Sequence, residues 1–314
     1  NLVLQELDFV EVRTVIPLSF SNHQTFLYLK GLCSLIIKKN SEQKMQIRLI
    51  FSLPRHLEQA MYQSKLVWLF KERFQKLGEV IGGFDFASYE EDCPPEKLKS
   101  FFYAFHRKNK SLLPMQLTYH IGESFEKIGL LQAILWIYEL ASYNIKRFGH
   151  ATALGYDPFL MLGTSERLSI EQYERTLCLL NNLRKHLSFK EVFDCEKKYS
   201  VSNKKFVLIR YTRNHCEKIR ALQEKVSQFL QEKEVILECC PSSNLKILSN
   251  KRPNYLSHLK FFKKEGLNLV LGTDDPGVFS TNYDDELQIA AKLGLNTQKI
   301  RKNSLKLINK NYFN

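Results

Sequence analysis

Apolar and β-branched residues gather into short runs that recur along the chain at wide intervals. Seven stand out: Phe9–Phe20, Gln46–Pro54, Glu79–Ala87, Met115–Ile121, Ile145–Leu154, Glu234–Pro241 and Leu267–Asp274. Most are nearly continuous in apolar residues rather than alternating, as expected of strands covered on both faces. Between them apolar residues fall at helical spacing, for example over Leu57–Leu77, Pro94–Lys108 and Phe125–Tyr143. Repeated strand–helix units predict an α/β fold with a parallel sheet. Gly82-Gly83 lies inside a strand run and opens no GxGxxG, so a TIM-type (β/α)8 barrel fits better than a dinucleotide-binding sheet. Residues 155–234 break the rhythm, being far longer than an ordinary crossover. They predict a helix over Ser169–Leu187 capped by Ser169, a strand over Lys205–Tyr211 and a helix over Asn214–Gln231. This stretch reads as an α/β insertion after the His150 strand, within one domain spanning 1–314.

Composition narrows the class. With 314 residues, 44% of them hydrophobic, the chain can bury one large barrel and is too apolar for disorder. The most apolar stretch, Ile128–Ala141, is too short to cross a bilayer and contains Gln132 and Glu139. The opening residues lack the pattern of a signal peptide. Seven cysteines without a CxxC pair suggest reduced thiols in a cytoplasmic protein. The formal charge of +13 is spread along the chain. Its clearest bias, Lys292, Lys299, Arg301, Lys302, Lys306 and Lys310, reads as a solvated helix face, with a nucleic-acid surface as the lesser alternative.

The informative polar residues stand where strands end. In a parallel barrel the C-terminal strand ends share one rim, which carries the catalytic groups. Here those ends read His120-Ile121-Gly122-Glu123, Arg147-Phe148-Gly149-His150, Cys240-Pro241-Ser242-Ser243-Asn244 and Gly272-Thr273-Asp274-Asp275-Pro276. Imidazole and carboxylate donors suit zinc with an open water position, and a nearby carboxyl can serve as a proton donor. Singly, each residue has a plainer explanation, such as helix capping by Asp275. His23, His186 and His258 are expected at exposed or capping positions. His215 could reach the rim, and Arg55-His56 is expected in loop and cap roles. Trp68 and Trp136 should pack outside the barrel strands.

These residues carry a resemblance to the metal-dependent adenosine deaminase family. LTYHIGES resembles that family's HAGE strand end, RFGHATAL its RIGHG strand end, ECCPSSN its CPxSN segment and LGTDDPGVFSTNYDDEL its TDDP strand end. FVEVR, RLIFSLPRH and GGFDFAS resemble weaker strand features of the same barrel. The resemblance implies that His120 and Asp274 ligate one zinc ion. It further implies that Glu123 protonates the purine N1, that His150 orients the attacking hydroxide, and that Asp275 bonds N7. Ser88 stands where the family's DLAG glycine offers its amide to N3. The implied reaction is hydrolysis of an adenine nucleoside or nucleotide to an inosine-type product and ammonia.

Three positions depart from the family's pattern. None of the eight histidines forms the His-x-His that supplies two further zinc ligands. The first barrel strand, with that pair, is therefore expected upstream of Asn1, and the excerpt alone is expected to be inactive. Ala151 and Ser88 each replace a glycine. The insertion should lie on the rim side as a lid or a homo-oligomer surface, and it is similar to deaminase subunits of bacterial antiphage systems. The alternative reading is a deaminase-like scaffold or nucleic-acid-binding subunit that has lost its metal. No membrane partner is expected.

Overall fold

The computed structural model describes residues 7–91, 93–110, 114–187, 197–201, 204–248 and 256–308, so Lys310 of the basic stretch lies outside the described residues. Each of the seven apolar runs carries a strand: β1 (Phe9–Val15), β2 (Gln46–Ser52), β3 (Ile81–Phe86), β4 (Gln116–Ile121), β5 (Arg147–His150), β9 (Ile236–Cys239) and β10 (Asn268–Leu271). Between β5 and β9 lie β6 (Ser165–Ser169), β7 (Lys197–Val201) and β8 (Lys204–Arg210). The seven form one sheet in the order β1-β2-β3-β4-β5-β9-β10, every neighbouring pair parallel.

Side chains crossing the interior show how this sheet curls. Arg13 on β1 donates from Nε to Asp85 Oδ2 on β3 at 2.8 Å, and from Nη2 to Glu238 on β9. Arg147 on β5 donates to Glu11 on β1 and to Glu238. β1 and β9 stand five places apart in the sheet, so a flat sheet would hold them about 24 Å apart. Their direct contact requires a half-barrel, with these charges on its inner face. Gly83 permits one close approach in the wall, since a Cβ there would sit 2.2 Å from Gln116 O on β4.

Helices cover the outer face. Trp68 packs edge-on against Phe84, and Phe86 against Phe101, sealing β3 beneath the helices Leu57–Arg73 and Lys99–Asn109. The helix Leu130–Ser142 is buried almost all round, which explains its uniformly apolar sequence. No helix of the described residues is long and apolar enough to cross a membrane. The six described cysteines are free, and five of them are buried.

Residues 165–210 contain more than the single strand expected there. β8 pairs antiparallel with both β6 and β7 in a separate three-stranded sheet. SERLS and KKYSV are too short and too polar to announce strands. Ser169 caps the helix Ile170–Leu187 as expected, its hydroxyl accepting from Gln172 N at 3.1 Å. Glu166 on β6 accepts from Leu130 N and from the Tyr211 hydroxyl, tying this sheet to the helix Leu130–Ser142. His258 departs from expectation: it is buried against Phe262, because Gly155 lets the backbone close over it.

The interior charges make stability depend on acid. Burial alone would raise the Glu238 carboxyl, but Arg13 and Arg147 bring it down from 4.5 to about 2. The unfolded chain therefore binds a proton before the folded one does. Stability from this group is complete above about pH 4.5 and is lost as pH falls towards 2. Urea midpoints should drop over that window in the native protein, and the drop should be shallower in Glu238→Gln.

Candidate active site

Because the seven strands run parallel, their C-terminal ends open on one face. Asp85, near the end of β3, is fully buried and bridges Arg13 and His120. Its Oδ2 accepts from Arg13, and its Oδ1 lies 3.0 Å from His120 Nδ1 at the end of β4. Burial works against the Asp85 charge, but His120 and Arg13 more than offset it and hold this carboxyl well below the usual range. An ionised carboxylate only accepts, so the His120 Nδ1 carries a proton and Nε2 is the ring nitrogen left for a metal. Burial also disfavours a charged His120, yet Asp85 raises its pKa, so a cation arriving at Nε2 would have to displace a proton.

His150 ends β5 with its ring centroid 5.1 Å from that of His120. Its Nε2 lies 3.5 Å from Glu123 Oε1, and burial lowers its pKa, favouring the neutral ring. Asp274 follows β10, exposed, with Oδ2 accepting from the Ser243 hydroxyl at 2.6 Å. Ser88, His150 and Asp274 all take positive φ, at 88°, 62° and 56°. Such conformations are costly without glycine and gather at functional sites.

One donor atom each from Glu123, His150 and Asp274 lies within 4.8 Å of the others, a set that could hold a metal ion. His120 is outside that trio but adjoins it, and its Nε2 is the imidazole lone pair that Asp85 leaves available. Nitrogen and carboxylate donors of this kind fit zinc. Asp275 is exposed, and its Oδ1 caps the short helix Pro276–Phe279 by accepting from Val278 N. Ser88 is also exposed, and its carbonyl accepts from Arg55 Nε at 3.1 Å. Arg55 further donates to Phe86 O and His120 O, which gives it the loop-binding role expected of it. His215 is buried edge-on against Tyr211.

Several residues here escaped the motif reading. Asp85 was signalled only as a lone carboxylate within GGFDFAS. Glu90 accepts from Gly122 N and Glu123 N at 2.7 and 3.0 Å, and burial pushes its carboxyl up to about 7. It thus holds the strand end that carries Glu123. Glu286, fully buried, accepts from Ser242 N and the Thr281 hydroxyl, fixing the start of the helix Pro241–Leu248 that presents Ser243 and Asn244. Gly149 gives His120 its place, since an added Cβ would lie 2.9 Å from the imidazole ring. Gly149→Ala should tilt that ring off Asp85 and weaken binding of a metal ion about 10–100-fold, measured by competition with a chromophoric chelator.

Comparison with known proteins gives the following. Residues 215–312 match the family model for adenosine deaminase. The adenosine deaminase of Plasmodium gallinaceum is 29% identical over 96 residues, 30% of this chain and 26% of that protein. The aligned stretch thus spans about a quarter of that relative. Among solved structures, a COG1816 amidohydrolase from Burkholderia ambifaria with bound Zn has a TM-score of 0.57 at 12% identity, covering 98% of this chain and 62% of that one. The apo N6-methyl-AMP deaminase of Arabidopsis thaliana has a TM-score of 0.53 at 17% identity, covering 99% and 70%. At these identities the structures establish likeness of fold. The antiphage likeness expected of the insertion is not borne out by these comparisons.

Proposed function

We propose that this adenosine deaminase-like chain, together with the two further histidine ligands expected upstream, catalyses hydrolytic deamination of an adenine nucleoside or nucleotide to the inosine-type product and ammonia. The observation that carries the proposal is the meeting of Glu123, His150 and Asp274 from three strand ends, with His120 beside them. Each stands in the motif that the family resemblance assigns to it.

Zinc would be held by His120 through Nε2 and by Asp274 through its carboxylate. When bound, it supplies the acidity that makes water a nucleophile near neutral pH. The open edges β1 and β10, unpaired with each other among the described residues, are where a further strand bearing the two expected histidines would lie. Asp274 accepts a hydrogen bond from the attacking water and orients it towards C6. His150 orients that oxygen with a hydrogen bond from its ring and stabilises charge as protons move. The Glu123 carboxyl donates a proton to N1 as the oxygen–carbon bond forms, which keeps negative charge from building on the ring. The C6–nitrogen bond then breaks, and the amino group leaves as ammonia after taking up a proton. Asp275 bonds N7, and the Ser88 amide stands near N3. The free cysteines are compatible with a cytoplasmic setting, and residues 155–234 are read as an insertion in a single domain that could form a lid or a homo-oligomer contact.

The test is product analysis by chromatography with adenosine, AMP and N6-substituted adenine nucleotides, beside a Glu123→Gln variant. Glu123→Gln should lower kcat by about 10³-fold while an inosine-type product still binds. Full activity in that variant would remove Glu123 from the reaction.

A further inference from the structure

Asn244 is fully buried in the helix Pro241–Leu248 that follows β9, with its side-chain Nδ2 3.3 Å from His150 Nδ1. An amide N–H₂ can only donate, so His150 Nδ1 must present a lone pair to it. The proton of the neutral ring then sits on Nε2, on the side facing Glu123 Oε1. Turning the amide over would not relieve the site. As it stands, Asn244 leaves its buried Oδ1 without a partner, and one of its two N–H groups meets His150 Nδ1. Reversed, its oxygen would meet Nδ1, and both N–H groups would take up that unpartnered position. A buried carbonyl oxygen left under-used is better tolerated than a further orphaned N–H.

We propose that Asn244 is a positioning residue that holds His150 in the Nε2–H tautomer and so keeps it out of the metal's coordination, as a hydrogen-bond donor. The inference rests on the deaminase reading above and deepens it. Glu123, His150 and Asp274 are close enough to look like one ligand set, yet the His150 lone pair is already engaged by Asn244. His120 has the opposite arrangement, since Asp85 accepts a hydrogen bond from its Nδ1–H and leaves Nε2 to face a metal. Two neighbouring imidazoles are thus sorted into a ligand and a proton donor by their partners, one an amide and one a carboxylate. The motifs assign the two histidines different roles, and the group that meets each Nδ1 supplies the physical reason.

The experiment is long-range ¹H–¹⁵N spectroscopy of the ¹⁵N-histidine-labelled chain, with the His150 signals assigned by their loss in His150→Gln. The native protein should show a protonated Nε2 and a bare Nδ1 at His150. Asn244→Asp places an acceptor against the same nitrogen and should move the proton to Nδ1. In hydrolases whose histidine is held in the wrong tautomer, turnover falls by about 10⁴-fold. Asn244→Asp should therefore lose at least 100-fold in kcat with KM little changed. A protonated Nδ1 in the native chain overturns the inference whatever the activity, as does an unchanged kcat in a variant whose tautomer has switched. The expected native tautomer without deamination of any purine offered, in the protein that carries the two upstream histidines, overturns the deaminase reading and leaves the Asn244 assignment standing.

Discussion

Asp274→Asn is expected to reduce turnover by about 10³-fold or more while leaving the fold almost untouched. Asp274 is exposed, so little packing is lost. Asparagine tolerates the left-handed backbone at this position, where φ is 56°, better than alanine would. The amide oxygen can still accept from the Ser243 hydroxyl, which lies 2.6 Å from Asp274 Oδ2. What disappears is the negative charge that would hold zinc and orient the attacking water. The decisive comparison is kcat beside the urea midpoint. A thousand-fold loss at an unchanged midpoint supports the assignment. Retained turnover would remove Asp274 from the chemistry, and a large fall in midpoint would make its role structural.

Arg147→Met should instead damage the fold. Arg147 is fully buried and donates to Glu11, Gln116 and Glu238 from three different strands. Methionine matches much of the volume but leaves carboxylates facing one another inside the half-barrel. Glu238 keeps Arg13 as a partner, while Glu11 loses the ion pair recorded for it with Arg147. Removing one side of a buried pair costs about 3–5 kcal/mol. Urea unfolding should therefore shift by that amount, and Arg147→Lys should recover only part, because a point ammonium cannot reach all three acceptors. Glu11→Gln in the same background should restore some stability by removing the stranded charge. A shift below about 1 kcal/mol would mean that the interior is wetter than the burial of these groups indicates.

The strands were legible because a sheet covered on both faces needs apolar residues almost without interruption, as in RLIFS and NLVL. Their ends were not. The run Ile145–Leu154 continues apolar, yet β5 stops at His150 because His150 and Ala151 turn into the left-handed region. In the same way, Phe125–Tyr143 reads as one helix, but the helix starts only at Leu130, after Gly129 with φ 84°. The candidate site divides similarly. His120, Glu123, His150 and Asp274 stood out as polar residues at the ends of apolar runs. Asp85 did not, lying 35 residues before His120, and Asn244 was visible in ECCPSSN without its pairing to His150, 94 residues earlier. Such contacts depend on how far the sheet curls, and no local spacing records that. Arg13 had a visible motif, FVEVR, but its reach across the interior to Glu238 belongs to the closed shape alone.

The central claim is that zinc at this rim drives hydrolytic deamination. It is tested most directly by following ammonia release from an adenine nucleoside or nucleotide with the native protein, before and after chelation and zinc re-addition. The account predicts that chelation abolishes release and that about one zinc per chain restores it, with restoration failing in Asp274→Asn. Ammonia release that survives complete metal removal would contradict it.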